Sequence, residues 1–434
     1  MRSKRALCFT IILGVFYQIF LNNFLFVFLN IGGVLQPLED FGYDCQRIYH
    51  PLLESCEDLW LDQASRILFA ACGDMNSRQN WVPAANSFNT SGRQRKDHFS
   101  VLHIDKLEED GLYGLHKLNI TGPYRGANSE NDQVLDLHGF AAREISESRL
   151  QFLVINHRPP VDDISARVLP DATAIGANST IEIFELDRRS SNLEFIRTIH
   201  DKSIIAPNNM AVSKQGRLIF TNDHSSKGWS DESLAGRVGL LQHVSFRRLH
   251  KANLDPLLQF RRLESMWGTG NVVSCGIETG ECHIAASRGF SFPNGVVQGH
   301  DGLLYVSHFI TGKITVHELR SNDSLIQVDE IKLGMPLDNL SIDEQGTIFV
   351  PGFPDISAVF KSLTHPGTRG IPSTIFTITK VTACNKPKYQ VNKILEDREG
   401  RILPSTTTVI HDIYTGRLFL SGVASPFITV CQKR

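Results

Sequence analysis

Apolar residues in this chain cluster in short runs rather than at helical spacing. One kind of run recurs six times: SRILFAA from Ser65, SRLQFLVIN from Ser148, QGRLIFTN from Gln215, DGLLYVSH from Asp301, QGTIFVPG from Gln345 and TGRLFLSG from Thr415. Each opens at a turn and continues through Ile, Leu, Phe and Val, the residues that fit a pleated, buried strand. STIEIFEL, GKITVHEL and ISAVFKSL between these runs read as further alternating strands. Long amphipathic stretches are scarce; one around Phe246 to Arg262 is interrupted by Pro256. Six similar strand units predict an all-β chain arranged by radial repetition, a six-bladed β-propeller, since a ring leaves few open sheet edges. A β-sandwich with long insertions is the competing architecture. The loops at 76–95 and 159–177 read as decorations of the rim, and no linker interrupts the folded region.

The N-terminus departs from this pattern. Arg2, Lys4 and Arg5 precede a stretch from Ala6 to Gln36 without a charged residue. It is longer than the roughly 7–15 apolar residues of a cleaved signal and shows no clear cleavage site. About 20 apolar residues cross a bilayer. The expectation is therefore a signal anchor or uncleaved signal over 1–40, followed by one propeller domain over 41–434. The basic flank stays cytosolic, which sends the rest of the chain to the lumenal or extracellular side. Gln18, Asn22, Asn23 and Asn30 weaken a transmembrane reading of the segment, so a secreted form stays open beside the membrane-anchored one.

Cysteine usage agrees with an oxidising compartment. Cys45 and Cys431 stand at the two ends of the folded region, Cys56 and Cys72 flank one strand-turn-strand passage, and Cys275 and Cys282 are close in sequence. These are three candidate disulfides, with buried free thiols as the alternative; Cys384 is left over. Sequons at Asn89, Asn119, Asn178 and Asn322 are glycosylation candidates. The composition, with 41% hydrophobic and 21% charged residues and a net charge of −2, is that of a globular protein. Without a long basic run it does not point to nucleic acid as a partner.

Five polar clusters are set directly into apolar sequence: Glu57-Asp58, His138-Gly139, Asn208-Asn209, Asn294-Gly295 and Asp338-Asn339. Singly, an Asp-Asn or Asn-Gly pair is an ordinary turn signal. Together they offer Asp, Glu and Asn oxygens beside buried strands, where a polar group must find a partner. A hard cation such as Ca²⁺ takes 6–8 oxygens at about 2.3–2.6 Å, whereas zinc prefers His and Cys.

In order and wording, SCEDLWLD, LDLHGF, LVINH, APNNMAV, FTNDHS, FSFPNGV, LDNLSID and ILPSTTTV resemble the paraoxonase/arylesterase family over the region from Cys45 to Cys431. The resemblance implies a six-bladed propeller with two calcium ions in its central tunnel. Carried over, a catalytic ion would be held by Glu57, Asn208, Asn294, Asp338 and Asn339. A structural ion would be held by Asp58, Asn209 and the backbone carbonyl of Phe140. His138 and His157 match the family's proposed histidine pair, although wall histidines are an equally ordinary reading. Asp338 as nucleophile is the alternative within the family. His224 matches a motif without a firm role. Asn339 also forms a sequon, which a place in the tunnel would keep unglycosylated.

Three departures qualify the resemblance. Asn209 stands where the family commonly has Asp, Phe353 stands where paraoxonases place a histidine, and residues 225–281 match poorly. The implied activity is calcium-dependent hydrolysis of esters or lactones, with organophosphates as a further substrate class. Asn294 would fix the reacting oxygen and His138, with His157, would take the proton from water. The alternatives are a non-catalytic calcium-stabilised binding propeller and a strictosidine-synthase-like propeller. No GxSxG elbow, P-loop or dinucleotide fingerprint is present.

Overall fold

The computed structural model describes Gly14, Tyr17 and residues 22–126, 133–162, 165, 167–169, 172–228, 268–365, 367–368, 370–383 and 386–434. Among these residues the strands form six sheets of four or five strands, with one two-stranded ribbon beside them. The six recurring runs are the second strands of the six sheets: Ile67–Cys72, Arg149–Asn156, Arg217–Asn222, Leu304–His308, Ile348–Gly352 and Arg417–Ser421. A second strand is flanked within its own sheet and covered by both neighbouring sheets. Its residues are accordingly buried almost throughout, which is why the run reads as continuously apolar rather than alternating.

The sheets are numbered here as blades 1 to 6. Their innermost strands are Asp58–Asp62, Leu137–Ser146, Pro207–Val212, Pro293–Gln298, Ser341–Ile342 and Thr408–Asp412, each touching the next around a closed ring. Blade 6 takes three strands from the C-terminal end of the chain and its outermost strand, Tyr43–Tyr49, from the start of the folded region. Disulfides join Cys45 to Cys431 across that closure, Cys56 to Cys72 in blade 1 and Cys275 to Cys282 in blade 3. Cys384 lies outside the described residues.

Aromatic and aliphatic layers between blades supply the core. Between blades 1 and 2, Phe69 and Phe99 meet Phe152, with ring centroids 5.1 and 5.6 Å apart. Each buried Phe stabilises the packing by roughly 1.5–3 kcal/mol.

One predicted strand is a helix. ISAVFKSL belongs to the helix Ile356–Thr364, with Ile356, Val359 and Ser362 buried on one face. The Asp355 carboxylate caps it, accepting from the Ala358 backbone N–H at 3.0 Å. The short apolar string suited either period, and the cap selected the helix. The candidate amphipathic stretch at 246–262 lies outside the described residues.

The end of the N-terminal apolar stretch rests on the propeller. Asn23–Phe28 forms one π-helical turn; Phe28 is buried against Phe309 and Phe360, and Asn30 Nδ2 donates to the Pro354 carbonyl at 3.1 Å. Among the described residues no helix is long and apolar enough to cross a membrane.

Candidate active site

The polar clusters sit where the innermost strands begin. Glu57 and Asp58 open blade 1, His138 blade 2, Asn208 and Asn209 blade 3, and Asn294 blade 4, while Asp338 and Asn339 lead into blade 5. All eight are no more than 6% exposed. In blades 2, 3 and 4 the ladder loses register at these residues, between Leu137 and Phe140, Pro207 and Met210, and Pro293 and Val296. Such irregularities re-aim side chains at a strand end. The two glycines serve close approach rather than a turn. A Cβ on Gly139 would stand 2.5 Å from the Asn208 carbonyl oxygen, and one on Gly295 would stand 2.3 Å from the Leu340 nitrogen.

Glu57, Asn208, Asn294 and Asp338 line one cavity of about 470 Å³, and Asn339 Nδ2 lies 3.2 Å from Glu57 Oε1. Five oxygens here, Glu57 Oε2, Asn208 Oδ1, Asn294 Oδ1, Asp338 Oδ1 and Asn339 Oδ1, are buried without a hydrogen-bond partner. Leaving a buried polar atom unpaired costs about 1–3 kcal/mol, so five together describe a place that wants a positive charge. The carboxyls agree. Burial and then the neighbouring Asp58 charge push Glu57 up to about 8, and burial and then Glu57 push Asp338 well above the carboxylate range. An all-oxygen set of two carboxyls and three amides fits a hard cation. Among the described residues no group of three or more His, Cys, Asp or Glu side chains is placed to hold a metal.

Asp58 and Asn209 lie together in the same hub. Phe140 approaches Asp58 through its N–H, which donates to Oδ2 at 3.1 Å. His138 Nε2 is buried, has no hydrogen-bond partner and lies 3.8 Å from Glu57 Oε1. His157 is its neighbour, with ring centroids 4.9 Å apart, and pairs through Nδ1 with Ser179 Oγ at 2.9 Å. Burial holds both imidazoles neutral, His157 at about 4 and His138 well below its usual value, where the charges of His157 and Arg78 add to the effect.

The sequence did not single out the supporting residues. Asp223 accepts from Asn208 Nδ2 at 3.2 Å and lies 2.6 Å from His224 Nδ1, thereby turning Asn208 Oδ1 toward the cluster. Thr407 Oγ1 donates to the Glu57 carbonyl at 2.8 Å. Asp223 stands in FTNDHS and Thr407 in ILPSTTTV, so the motifs contained them without declaring their roles. His224 lines the cavity, with Nε2 buried and without a partner.

Among the candidate glycosylation sites, Asn89, Asn119 and Asn322 are exposed, Asn178 is half-buried, and Asn339 is buried.

Fold and site define a six-bladed β-propeller with a small-molecule cavity opening onto a polar hub. A family model described as Arylesterase matches residues 268–426. Serum paraoxonase/arylesterase 1 of Homo sapiens is 24% identical over 343 residues, covering 79% of this chain and 78% of that protein. Serum paraoxonase/arylesterase 2 of Homo sapiens is 24% identical over 237 residues, covering 52% and 58%. A solved luciferin-regenerating enzyme aligns with a TM-score of 0.48 at 12% identity, covering 90% of this chain and 95% of that one. Over these stretches the chain is similar to proteins of the paraoxonase/arylesterase family.

Proposed function

We propose that the protein is a calcium-dependent hydrolase of esters and lactones carrying apolar groups. The supporting observation is the set of five buried, unpartnered oxygens brought to the hub by blades 1, 3, 4 and 5. Glu57, Asn208, Asn294, Asp338 and Asn339 would hold the ion. Bound there, calcium supplies Lewis-acid polarisation of a substrate carbonyl or phosphoryl oxygen.

The chain's own groups account for the remainder of the reaction. Asn294 orients the reacting oxygen from the cavity wall. His138 is neutral and its Nε2 is free to take a proton from water. A deeply buried imidazole holds a proton poorly, and the Asp223 charge, which raises the His138 pKa, partly offsets that as the imidazolium forms. His157, fixed by Ser179, holds the neighbouring ring in place. The cavity walls, among them Phe28, Phe292, Phe309, Phe353 and Phe360, exclude water and receive an aryl or alkyl group rather than a charged one. Three disulfides support passage through an oxidising compartment, and we place the propeller on the lumenal or extracellular side.

The experiment is turnover of phenyl esters and lactones by the wild type, by the chelated protein and by Asp338→Ala. Loss of activity on chelation, restored by calcium, together with an inactive Asp338→Ala, is expected. Undiminished turnover in both treatments removes the metal from the reaction.

A further inference from the structure

The hub holds a second polar group beside the unpartnered oxygens, and this one is complete. Asp58 Oδ1 accepts from the Leu59 N–H at 2.9 Å and lies 3.1 Å from Thr408 Oγ1. Its Oδ2 accepts from the Phe140 N–H at 3.1 Å and from Asn209 Nδ2 at 3.2 Å. The other end of the Asn209 amide is also used, since Oδ1 accepts from the Val296 N–H at 3.3 Å. A carboxylate offers about four acceptor positions; three are met by N–H donors, and the fourth shares the Thr408 hydroxyl with the Glu57 carbonyl 3.0 Å from it. The amide cannot be turned round. Reversal would aim its carbonyl at the Asp58 carboxylate and its –NH₂ at the Val296 N–H, setting acceptor against acceptor and donor against donor.

These residues therefore do not fit the second ion that their positions suggested. A cation needs lone pairs, and Asn209 presents hydrogens to the very oxygen that would have to bind it. Resting on the single-cation reading above, we infer that the Asp58–Asn209 couple replaces a buried metal ion, so that the protein holds one calcium and pins the other part of its hub by hydrogen bonds alone. The couple draws on blade 1 through Asp58, blade 2 through Phe140, blade 3 through Asn209, blade 4 through Val296 and blade 6 through Thr408. Most of the ring is thus tied at its axis without a metal. A carboxylate at position 209 would reverse the chemistry: two acids at this spacing repel, and a cation or a shared proton must come between them.

The test is equilibrium dialysis of the full chain against calcium alone after chelation, with metal content measured per chain. The wild type is expected to bind about one ion, Asp338→Ala none, Asp58→Asn still about one, and Asn209→Asp about two, with a melting temperature that becomes strongly calcium-dependent. Two ions on the wild type, a loss of one ion in Asp58→Asn, or a folded Asn209→Asp that gains none would overturn the inference. If Asn209→Asp does not accumulate, the wild-type and Asp58→Asn counts decide. A wild type that binds no calcium sinks the metal in the proposed reaction but leaves this position metal-free as inferred, and the gain in Asn209→Asp then tests the couple by itself.

Discussion

Cys45 and Cys431 face each other as directly paired residues of antiparallel strands, although 386 positions separate them in the chain, and a disulfide joins them. The bond links the first strand of the folded region to the last, where the propeller closes. Removing a native disulfide typically costs about 2–5 kcal/mol. The Cys45→Ala/Cys431→Ala double variant is therefore expected to unfold at a clearly lower urea concentration than the wild type. An unchanged midpoint would show that strand pairing alone closes the ring.

An ion pair joins blade 6 to blade 1. Arg66 of blade 1 reaches Asp412 of blade 6 at 2.6 Å, and Asp412 is buried. Burial raises the acid's pKa, but hydrogen bonds from Arg66 and Thr415 outweigh it and bring Asp412 down to about 2. A depressed carboxyl contributes its stability above its ordinary value and loses it as pH falls through the folded one. Asp412→Asn should cost about 1–2 kcal/mol at pH 7, allowing for solvent at the half-open arginine. The gap should close as pH approaches about 2. Denaturant curves of both proteins across that range check it; a pH-independent gap would assign the loss to packing.

His138 and His157 separate by what they touch. Both have a buried, unpartnered Nε2, but His138 lines the cavity, whereas His157 is not among its lining residues and is tied through Nδ1 to Ser179. His138→Gln is expected to lower kcat by about 10²–10⁴, the usual worth of a general base, while calcium binding stays at the wild-type level. Ser179→Ala, which only loosens the neighbouring ring, should lower it far less. Turnover paired with calcium dialysis on each variant measures both. Full activity in His138→Gln would move the base elsewhere in the cavity, with His224 the next group to replace.

Legibility in the sequence followed the reach of each interaction. The second strand of each blade was readable because burial on both faces writes a continuous apolar run. Gly216, Gly302, Gly346 and Gly416, all at positive φ, mark the turns that enter four of them. ISAVFKSL misled because Ile356, Val359 and Phe360 satisfy helical spacing within a string that also alternates. The hub residues looked like turn signals one at a time, since what distinguishes them is neighbours from other blades. Gly295 meets the Asn339-Leu340 backbone, and Asp223 holds Asn208. The amide orientation that satisfies Asp58 depends on Val296, a residue no local pattern connects to it.

Phe353 gives the cavity its character on one side. It is 2% exposed, packs edge-on against Phe309 at 5.9 Å, and lines the cavity that also contains Glu57 and Asp338. A substrate aryl group against this wall would bury roughly 40 Å² of apolar surface, worth about 1 kcal/mol at 25 cal/mol per Å². Phe353→Leu removes part of that contact while keeping the wall apolar, and is expected to raise KM for phenyl esters about two- to five-fold with little change in kcat. Small aliphatic lactones, which do not reach the ring, should be unaffected. Phe353→His should weaken phenyl esters further while favouring substrates with a hydrogen-bond acceptor on the leaving group. Steady-state kinetics on the three substrate types tests this. Equal KM changes for phenyl esters and small lactones would mean that position 353 acts through the fold of the cavity rather than by touching the substrate.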